Sequence, residues 1–111
     1  MPRVLVVDDV GPSRLEALAI VRSLGFDGEG VPNGEDALEL LRTREGTPMA
    51  FDAILADQQM AFLPGTALLD VVEEKYPLMR RLLISGYAAP QTRHPFVNKP
   101  LNAAELRRTL E

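Results

Sequence analysis

The chain has 111 residues, and its 12 basic and 16 acidic side chains give it a net charge of −4. This length suits one compact domain, so we expect a single domain spanning residues 1–111. The acidic balance argues against a nucleic-acid binder that works through bulk charge. The lack of cysteine excludes disulfide scaffolds and thiolate metal sites, and the single histidine, His94, excludes a histidine-rich zinc site.

The sequence also carries no membrane signal. No apolar run approaches the roughly 18 residues that a membrane-spanning helix needs. The first residues lead straight into a strand-like run and lack the layout of a signal peptide. We therefore expect no membrane association and a cytoplasmic location.

Short apolar runs alternate with helical patterns along the whole chain. Residues 4–7 are apolar on both faces, which is typical of a strand buried on both sides of a parallel sheet. Further strands are predicted at residues 29–31, 51–56, 81–84 and 96–97. Helices are predicted from Ser13 to Gly25, at residues 34–44 and 66–75, and from Asn102 to about residue 110.

Capping patterns set the predicted ends of two helices. Ser13 and Glu16 have the spacing of a capping box, as do Asn102 and Glu105. Gly25 is the residue type that commonly follows the end of a helix, because glycine readily adopts positive φ. We therefore expect the first helix to begin at Ser13 and to stop at Gly25.

The alternation of strands and helices predicts an α/β fold. It favours a doubly wound, five-stranded parallel sheet with the flavodoxin-like strand order 2-1-3-4-5. Only the 13 residues 86–98 separate Ser85 from Lys99, and a parallel crossover normally needs about a dozen residues before its next strand. Because Pro90 and Pro95 also oppose a regular helix, we expect helix four, which would connect the fourth strand to the fifth, to be absent or reduced to about one turn.

Polar residues follow the predicted strands where sites form in open α/β sheets, at the carboxyl edge. They are Asp8 and Asp9 after the first strand, Asp57 after the third, Ser85 after the fourth and Lys99 after the fifth. Each one alone is typical of an ordinary turn, cap or solvated surface residue. Their joint placement at one edge indicates a site.

Three carboxylates in one cleft repel each other, so a cation must compensate. Oxygen ligands without cysteine favour Mg²⁺ or Mn²⁺ over zinc. A carboxylate can also act as a nucleophile towards phosphorus and form an acyl phosphate. Lys99 and Ser85 are then the candidates to meet the phosphoryl oxygens.

These residues resemble the receiver domain of two-component response regulators, the superfamily of the chemotaxis regulator, over essentially the whole chain. The resemblance rests on residues 4–9 (VLVVDD), 33–38 (NGEDAL) and 51–57 (FDAILAD), on Met60 and Gly65 in family register, on Ser85, and on Lys99-Pro100. It implies a cytoplasmic, bacterial-type phosphorelay protein. Such a domain is a signalling phosphoacceptor rather than an enzyme, although it assists its own phosphorylation and dephosphorylation.

The resemblance also implies a role for each matching residue. Asp57 would be the phosphoacceptor, with Ser85 and Lys99 contacting the phosphoryl group and Pro100 following a cis peptide bond. Metal binding would fall to Asp9 directly, to Asp8 mainly through bound water, to Asp57, and to the backbone carbonyl of Gln59. The implied partners are a phosphohistidine on a sensor histidine kinase or phosphotransfer protein, and a downstream protein or output domain that the sequence does not name.

The chain departs from the family pattern in three places. Ala61 replaces the usual proline after Met60, so the neighbouring loop can take another shape. The switch aromatic is Phe96 rather than tyrosine, with an ordinary core residue as the alternative interpretation, and Tyr87 is positioned to cover the site. A missing helix four removes part of the family's usual output surface. We therefore expect signalling through a different surface or a different homodimer.

Two other functions fit parts of the pattern. A pseudo-receiver would use the same fold as a phosphorylation-independent docking or dimerisation module. A Mg²⁺-dependent phosphohydrolase would use an aspartate nucleophile, but such enzymes typically place an acid two residues later. Gln59 follows Asp57 at that spacing and Val10 follows Asp8, so neither candidate nucleophile has the second acid.

Overall fold

The structure is a computed structural model that describes residues 2–86 and 90–110. Its strands are β1 (Arg3–Val7), β2 (Asp27–Val31), β3 (Ala53–Asp57), β4 (Arg80–Ser85) and β5 (Phe96–Asn98). Its helices are α1 (Gly11–Ser23), α2 (Gly34–Arg44), α3 (Gly65–Lys75) and α4 (Ala103–Leu110). All strand pairs are parallel and their order is β2-β1-β3-β4-β5, which confirms the predicted topology.

Alternate residues of the central strands supply two apolar layers, one on each face of the sheet. Val4 and Val6 of β1 pack with residues of α1 and α4. Leu5 and Val7 of the same strand pack with residues of α2 and α3. Because both faces of β1 and β3 are covered, these strands are apolar at nearly every position.

The helix ends follow the capping predictions in part. Asn102 Oδ1 accepts a hydrogen bond from the Glu105 N–H at 3.0 Å, and Gly25 has a φ of +92° just after α1, so both predictions are confirmed. The prediction for Ser13 is wrong, since α1 begins at Gly11 and has no side-chain cap. Ser13 lies within the first turn of α1, and its hydroxyl donates a charge-assisted hydrogen bond to Asp8 Oδ2 at 2.6 Å.

A bidentate ion pair joins α2 to the edge strand β2. Both terminal nitrogens of Arg44 donate to the Glu29 carboxylate, at 2.8 and 2.9 Å. The hydrogen bond from Arg44 lowers the pKa of Glu29 despite partial burial, which opposes the charged form. The pair therefore fixes the second helix against the strand beside it.

The crossover from β4 to β5 confirms the expectation that the helix between these two strands is absent or short, and α4 is the helix that follows β5. Among its described residues, 86 and 90–95, none is helical. His94 is buried, and its Nε2 lies 2.7 Å from Asp70 Oδ1 on α3. Arg93 pairs with the same carboxylate and with Glu73 one turn further along α3. These contacts hold the short crossover against α3.

No helix in the described part of the chain is long and apolar enough to span a membrane.

Candidate functional site

The strand register brings the predicted site residues to one edge of the sheet. Val7 of β1 is level with Ala56 of β3, so Asp8 leaves its strand beside Asp57. Asp57 is level with Ile84 of β4, and the next residue of that strand is Ser85. The carboxyl ends of three neighbouring strands therefore place the acidic residues and the serine side by side.

The central contact of the site is an ion pair between Asp57 and Lys99. Lys99 Nζ donates to Asp57 Oδ2 at 2.6 Å, while the Gln59 N–H donates to Asp57 Oδ1 at 2.9 Å. The Asp57 side chain is 3% exposed and that of Lys99 is 39% exposed. The buried carboxylate thus has one charged partner that can reach solvent.

The charge of Lys99 is coupled to all three carboxylates. Burial disfavours the charged form of Lys99, but the hydrogen bond and charge of Asp57 outweigh it, and the charges of Asp8 and Asp9 add to them. The pKa of Lys99 is therefore raised. A single ammonium group responds to all three acids, so the acids share one field.

The two acids of the β1–α1 loop are held differently. Asp8 is buried, and its oxygens accept hydrogen bonds from the Val10 N–H at 2.9 Å and from the Ser13 hydroxyl. Asp9 is exposed, and its Oδ2 accepts a hydrogen bond from the Ala61 N–H at 3.2 Å. This last bond ties the β1–α1 loop to the loop that follows Asp57.

The remaining predicted residues divide into three cases. Ser85 is fully buried at the end of β4, its carbonyl accepts a hydrogen bond from the Lys99 N–H at 2.9 Å, and the Lys99–Pro100 bond is cis as expected. Phe96 is 38% exposed on β5, so its interpretation as a core residue is wrong, while its switch role stays a prediction. Tyr87 lies outside the described residues.

The donor set fits a hard divalent cation. Each oxygen of an ionised carboxylate has two acceptor sites, so an oxygen that accepts one hydrogen bond can also bind a cation. Magnesium prefers carboxylate oxygens together with water, and the exposure of Asp9 leaves access for water. The site therefore offers ligands of the right kind, grouped around the buried Asp57 carboxylate.

A cavity of about 150 Å³ adjoins the acids, and Asp8, Ser13, Glu16, Lys99 and Pro100 are among the residues that line it. It lies between α1 and the segment that follows β5. A larger cleft of about 460 Å³ lies at the opposite edge of the sheet, between Arg3 and Arg22. The cluster of acids, rather than the volume of a cleft, therefore locates the candidate site.

Gln58 flanks the site in sequence, but its role at the start of α3 was not predicted. Its side-chain Oε1 accepts a hydrogen bond from the Thr66 N–H at 2.9 Å, at the start of α3. The available signal was Pro64, because a proline just before a helix carries no side-chain acceptor and leaves the first N–H groups in need of a partner.

Curated proteins that are similar in sequence to the chain are described as response regulators. It is 29% identical over 111 residues to a protein of Rickettsia bellii described as a putative NtrX-like response regulator, covering 93% of this chain and 23% of that protein. It is also 29% identical over 116 residues to the transcriptional regulatory protein ZraR of Escherichia coli O157:H7, covering 97% of this chain and 25% of that protein. The chain thus spans about a quarter of the length of these relatives.

Solved structures show the same fold as this chain. A response regulator receiver domain protein from Clostridium thermocellum has a TM-score of 0.86 at 16% identity, covering 99% of this chain and 91% of that one. The chemotaxis protein CheY4 of Vibrio cholerae has a TM-score of 0.84 at 23% identity, covering 99% of this chain and 96% of that one. No family model matches the sequence.

Proposed function

We propose that the chain, which resembles response-regulator receiver domains in its fold and in its relatives, accepts a phosphoryl group on Asp57. The observation that carries the proposal is the buried Asp57 carboxylate, paired with Lys99 and placed beside two further acids. A structural ion pair between Asp57 and Lys99 does not need the additional buried acid Asp8. An acceptor of a dianionic phosphoryl group needs a divalent cation beside it, and additional acids are the groups that would hold such a cation.

The reaction is a transfer between two protein side chains. An Asp57 oxygen attacks the phosphorus of a phosphohistidine in line, a P–O bond forms, and the P–N bond to imidazole breaks. The leaving imidazole takes up a proton. The product is an acyl phosphate on Asp57.

Lys99 and Ser85 would meet the transferred group. The Lys99 ammonium is already bonded to Asp57 Oδ2, and it shifts to a phosphoryl oxygen as negative charge arrives. The Ser85 hydroxyl supplies a second contact from the end of β4. Because the backbone N–H of Lys99 donates to the Ser85 carbonyl, a displacement of one residue also displaces the other.

Magnesium, or manganese in its place, fits the donor set of Asp8, Asp9, Asp57 and the Gln59 carbonyl. When bound, such an ion neutralises the charge that develops on the phosphoryl oxygens during transfer. The chain's own acids then contribute by holding the cation site beside the acceptor. Asp8 is oriented by Ser13, and Asp9 by the Ala61 N–H.

The proposed partners follow from this chemistry. The donor is a sensor histidine kinase or a phosphotransfer protein, and the phosphorylated chain then changes its contacts with a downstream protein or output domain. His94 and Arg93 join the described crossover residues, 90–95, to α3. We include α3 and these residues in the proposed output surface.

The direct experiment is incubation with acetyl phosphate or phosphoramidate and Mg²⁺, followed by intact mass. We expect the mass increase of one phosphoryl group, its loss in Asp57→Asn, and its loss when a chelator removes the metal. A chain that gains no mass at any Mg²⁺ concentration would instead be a phosphorylation-independent docking module.

A further inference from the structure

The N-terminus of α3 is capped by Gln58, which lies just after the end of β3 rather than next to the helix. The preceding residue, Pro64, gives no side-chain cap. The Gly65 N–H donates to the Gln58 carbonyl at 3.3 Å, and the Thr66 N–H donates to the Gln58 side-chain oxygen at 2.9 Å. Gln58 thus satisfies two backbone donors that would otherwise lack a partner.

The same residue is anchored in the sheet. The Gln58 N–H donates to the Ile84 carbonyl at 2.9 Å, which extends the pairing of β3 with β4 by one residue. Gln58 is also bonded covalently to Asp57. It therefore joins the acceptor aspartate, the end of β4 and the start of α3.

The start of α3 lies against the backbone of the acceptor. A Cβ atom on Gly65 would lie 2.5 Å from the Asp57 carbonyl oxygen, so the helix and Asp57 are already as close as glycine permits. The loop between Gln58 and α3 also includes Phe62, which has a φ of +68° and a fully exposed side chain. A backbone conformation of this kind persists only when its surroundings hold it.

Two N–H groups of this loop orient the site's carboxylates. The Gln59 N–H bonds to Asp57 Oδ1, and the Ala61 N–H bonds to Asp9 Oδ2. Their positions depend on where the loop is fixed at both ends. The Gln58 side chain fixes one end to the other across eight residues.

We propose that Gln58 is a positioning residue for phosphoryl acceptance, whose side-chain amide oxygen holds α3 and the loop so that Asp57 and Asp9 are aligned for metal and phosphoryl binding. This inference rests on the proposed function. Gln58 itself need not touch the phosphoryl group. It acts through the loop N–H groups that it places.

The test compares two substitutions of similar length in the full chain. Gln58→Met removes the strong acceptor, whereas Gln58→Glu keeps an oxygen acceptor and adds a charge that helix N-termini favour. Rates of phosphorylation by phosphoramidate are measured over a range of Mg²⁺ concentrations. This separates the Mg²⁺ concentration at half-maximal rate from the maximal rate.

We expect Gln58→Met to raise the half-saturating Mg²⁺ concentration, or to lower the maximal rate, by roughly three- to tenfold, the scale of one lost hydrogen bond. We expect Gln58→Glu to keep the maximal rate within about twofold of the wild type, since the hydrogen bond to the Thr66 N–H is retained. Its added negative charge should act on the half-saturating Mg²⁺ concentration, which it lowers by attracting the cation. The matched control is Asn33→Ala, because Asn33 Oδ1 caps α2 through the Asp36 N–H at 2.7 Å. That variant loses a comparable cap at another helix, and its kinetics should be unchanged.

Urea denaturation of each variant distinguishes positioning from general stabilisation. If Gln58→Met lowers the urea midpoint but leaves both kinetic parameters unchanged, Gln58 is only a cap and the proposal is wrong. It is also wrong if Asn33→Ala slows the reaction equally, or if Gln58→Glu is as slow as Gln58→Met. A wild type that gains no phosphoryl group overturns the proposed function itself, which is a different outcome.

Discussion

Replacing Lys99 by methionine tests how the acidic site is stabilised before any metal binds. Lys99→Met keeps most of the apolar stem but removes the ammonium that bonds to Asp57 Oδ2 at 2.6 Å. The Asp57 carboxylate then stays buried with the Gln59 N–H as its remaining described partner, beside Asp8 and Asp9. The folded state should therefore lose stability when divalent cations are absent.

The expected loss is modest because the pair is open on one side. Breaking a fully buried ion pair costs about 3–5 kcal/mol. The Lys99 side chain is 39% exposed, so solvent screening reduces the figure, and we expect about 1–2 kcal/mol. Saturating Mg²⁺ should stabilise the variant more than the wild type by a similar amount, because the removed ammonium no longer competes with the cation.

Urea denaturation followed by circular dichroism, in chelator and in saturating Mg²⁺, measures both effects. Lys75→Met is the matched control, because the chain's other lysine lies at the end of α3. The pKa of Lys99 is raised, so its contribution is complete below its unfolded pKa of about 10.4 and disappears as pH rises through the higher folded value. Equal stability of Lys99→Met and wild type in chelator, or equal stabilisation of both by Mg²⁺, would refute this reasoning.

Three further predictions concern the surroundings of the site. Gly65→Ala should destabilise the fold by about 1–3 kcal/mol and slow phosphorylation, because the new Cβ would press on the Asp57 carbonyl. His94→Ala should cost about 1–3 kcal/mol in urea denaturation because the imidazole is buried and bonded, whereas Arg93→Ala should change stability by less than about 0.5 kcal/mol because its ion pairs are exposed. The lowered pKa of Glu29 stabilises the fold above its unfolded pKa of about 4.3, and this contribution is lost as pH falls through the folded value, so Glu29→Gln should flatten the acid limb of the stability curve.

Controls make these predictions specific. Gly11→Ala places its Cβ no closer than 3.9 Å to the Arg14 guanidinium, so it should fold and phosphorylate normally. A Gly65→Ala protein with wild-type stability and kinetics would contradict the close approach of α3 to Asp57. A His94→Ala protein as stable as Arg93→Ala would show that the crossover is not held by its buried histidine. Parallel acid curves for Glu29→Gln and wild type would remove Glu29 from the pH dependence.

The sequence predicts the site because the relevant chemistry sits at strand ends. Asp8, Asp57 and Ser85 each follow an apolar run, and parallel pairing brings those ends together without any knowledge of the loops. The small number of residues between Ser85 and Lys99 was enough to predict that no full helix connects β4 to β5. These inferences depend only on short-range pattern and on sheet topology.

Interactions that depend on loop closure were not predictable in the same way. Ser13 fits a local capping pattern, but α1 begins two residues earlier, at Gly11, and the Ser13 hydroxyl donates to the Asp8 carboxylate. Gln58 caps α3 across eight residues, and His94 meets Asp70 across 24. Pro64 signals only that α3 lacks a cap from its neighbouring side chain. Sequence spacing does not identify Gln58 or Asp70 as the partner, because these contacts exist only after the sheet and its helices have packed.

The most direct test of the central claim is to locate the phosphoryl group on the chain. Borohydride reduces an aspartyl phosphate to homoserine, which tandem mass spectrometry can assign to a single residue after treatment with phosphoramidate and Mg²⁺. We expect homoserine at position 57 and its disappearance when Mg²⁺ is withheld. Modification at another residue, or none at any position, would contradict the assignment of Asp57 as the acceptor.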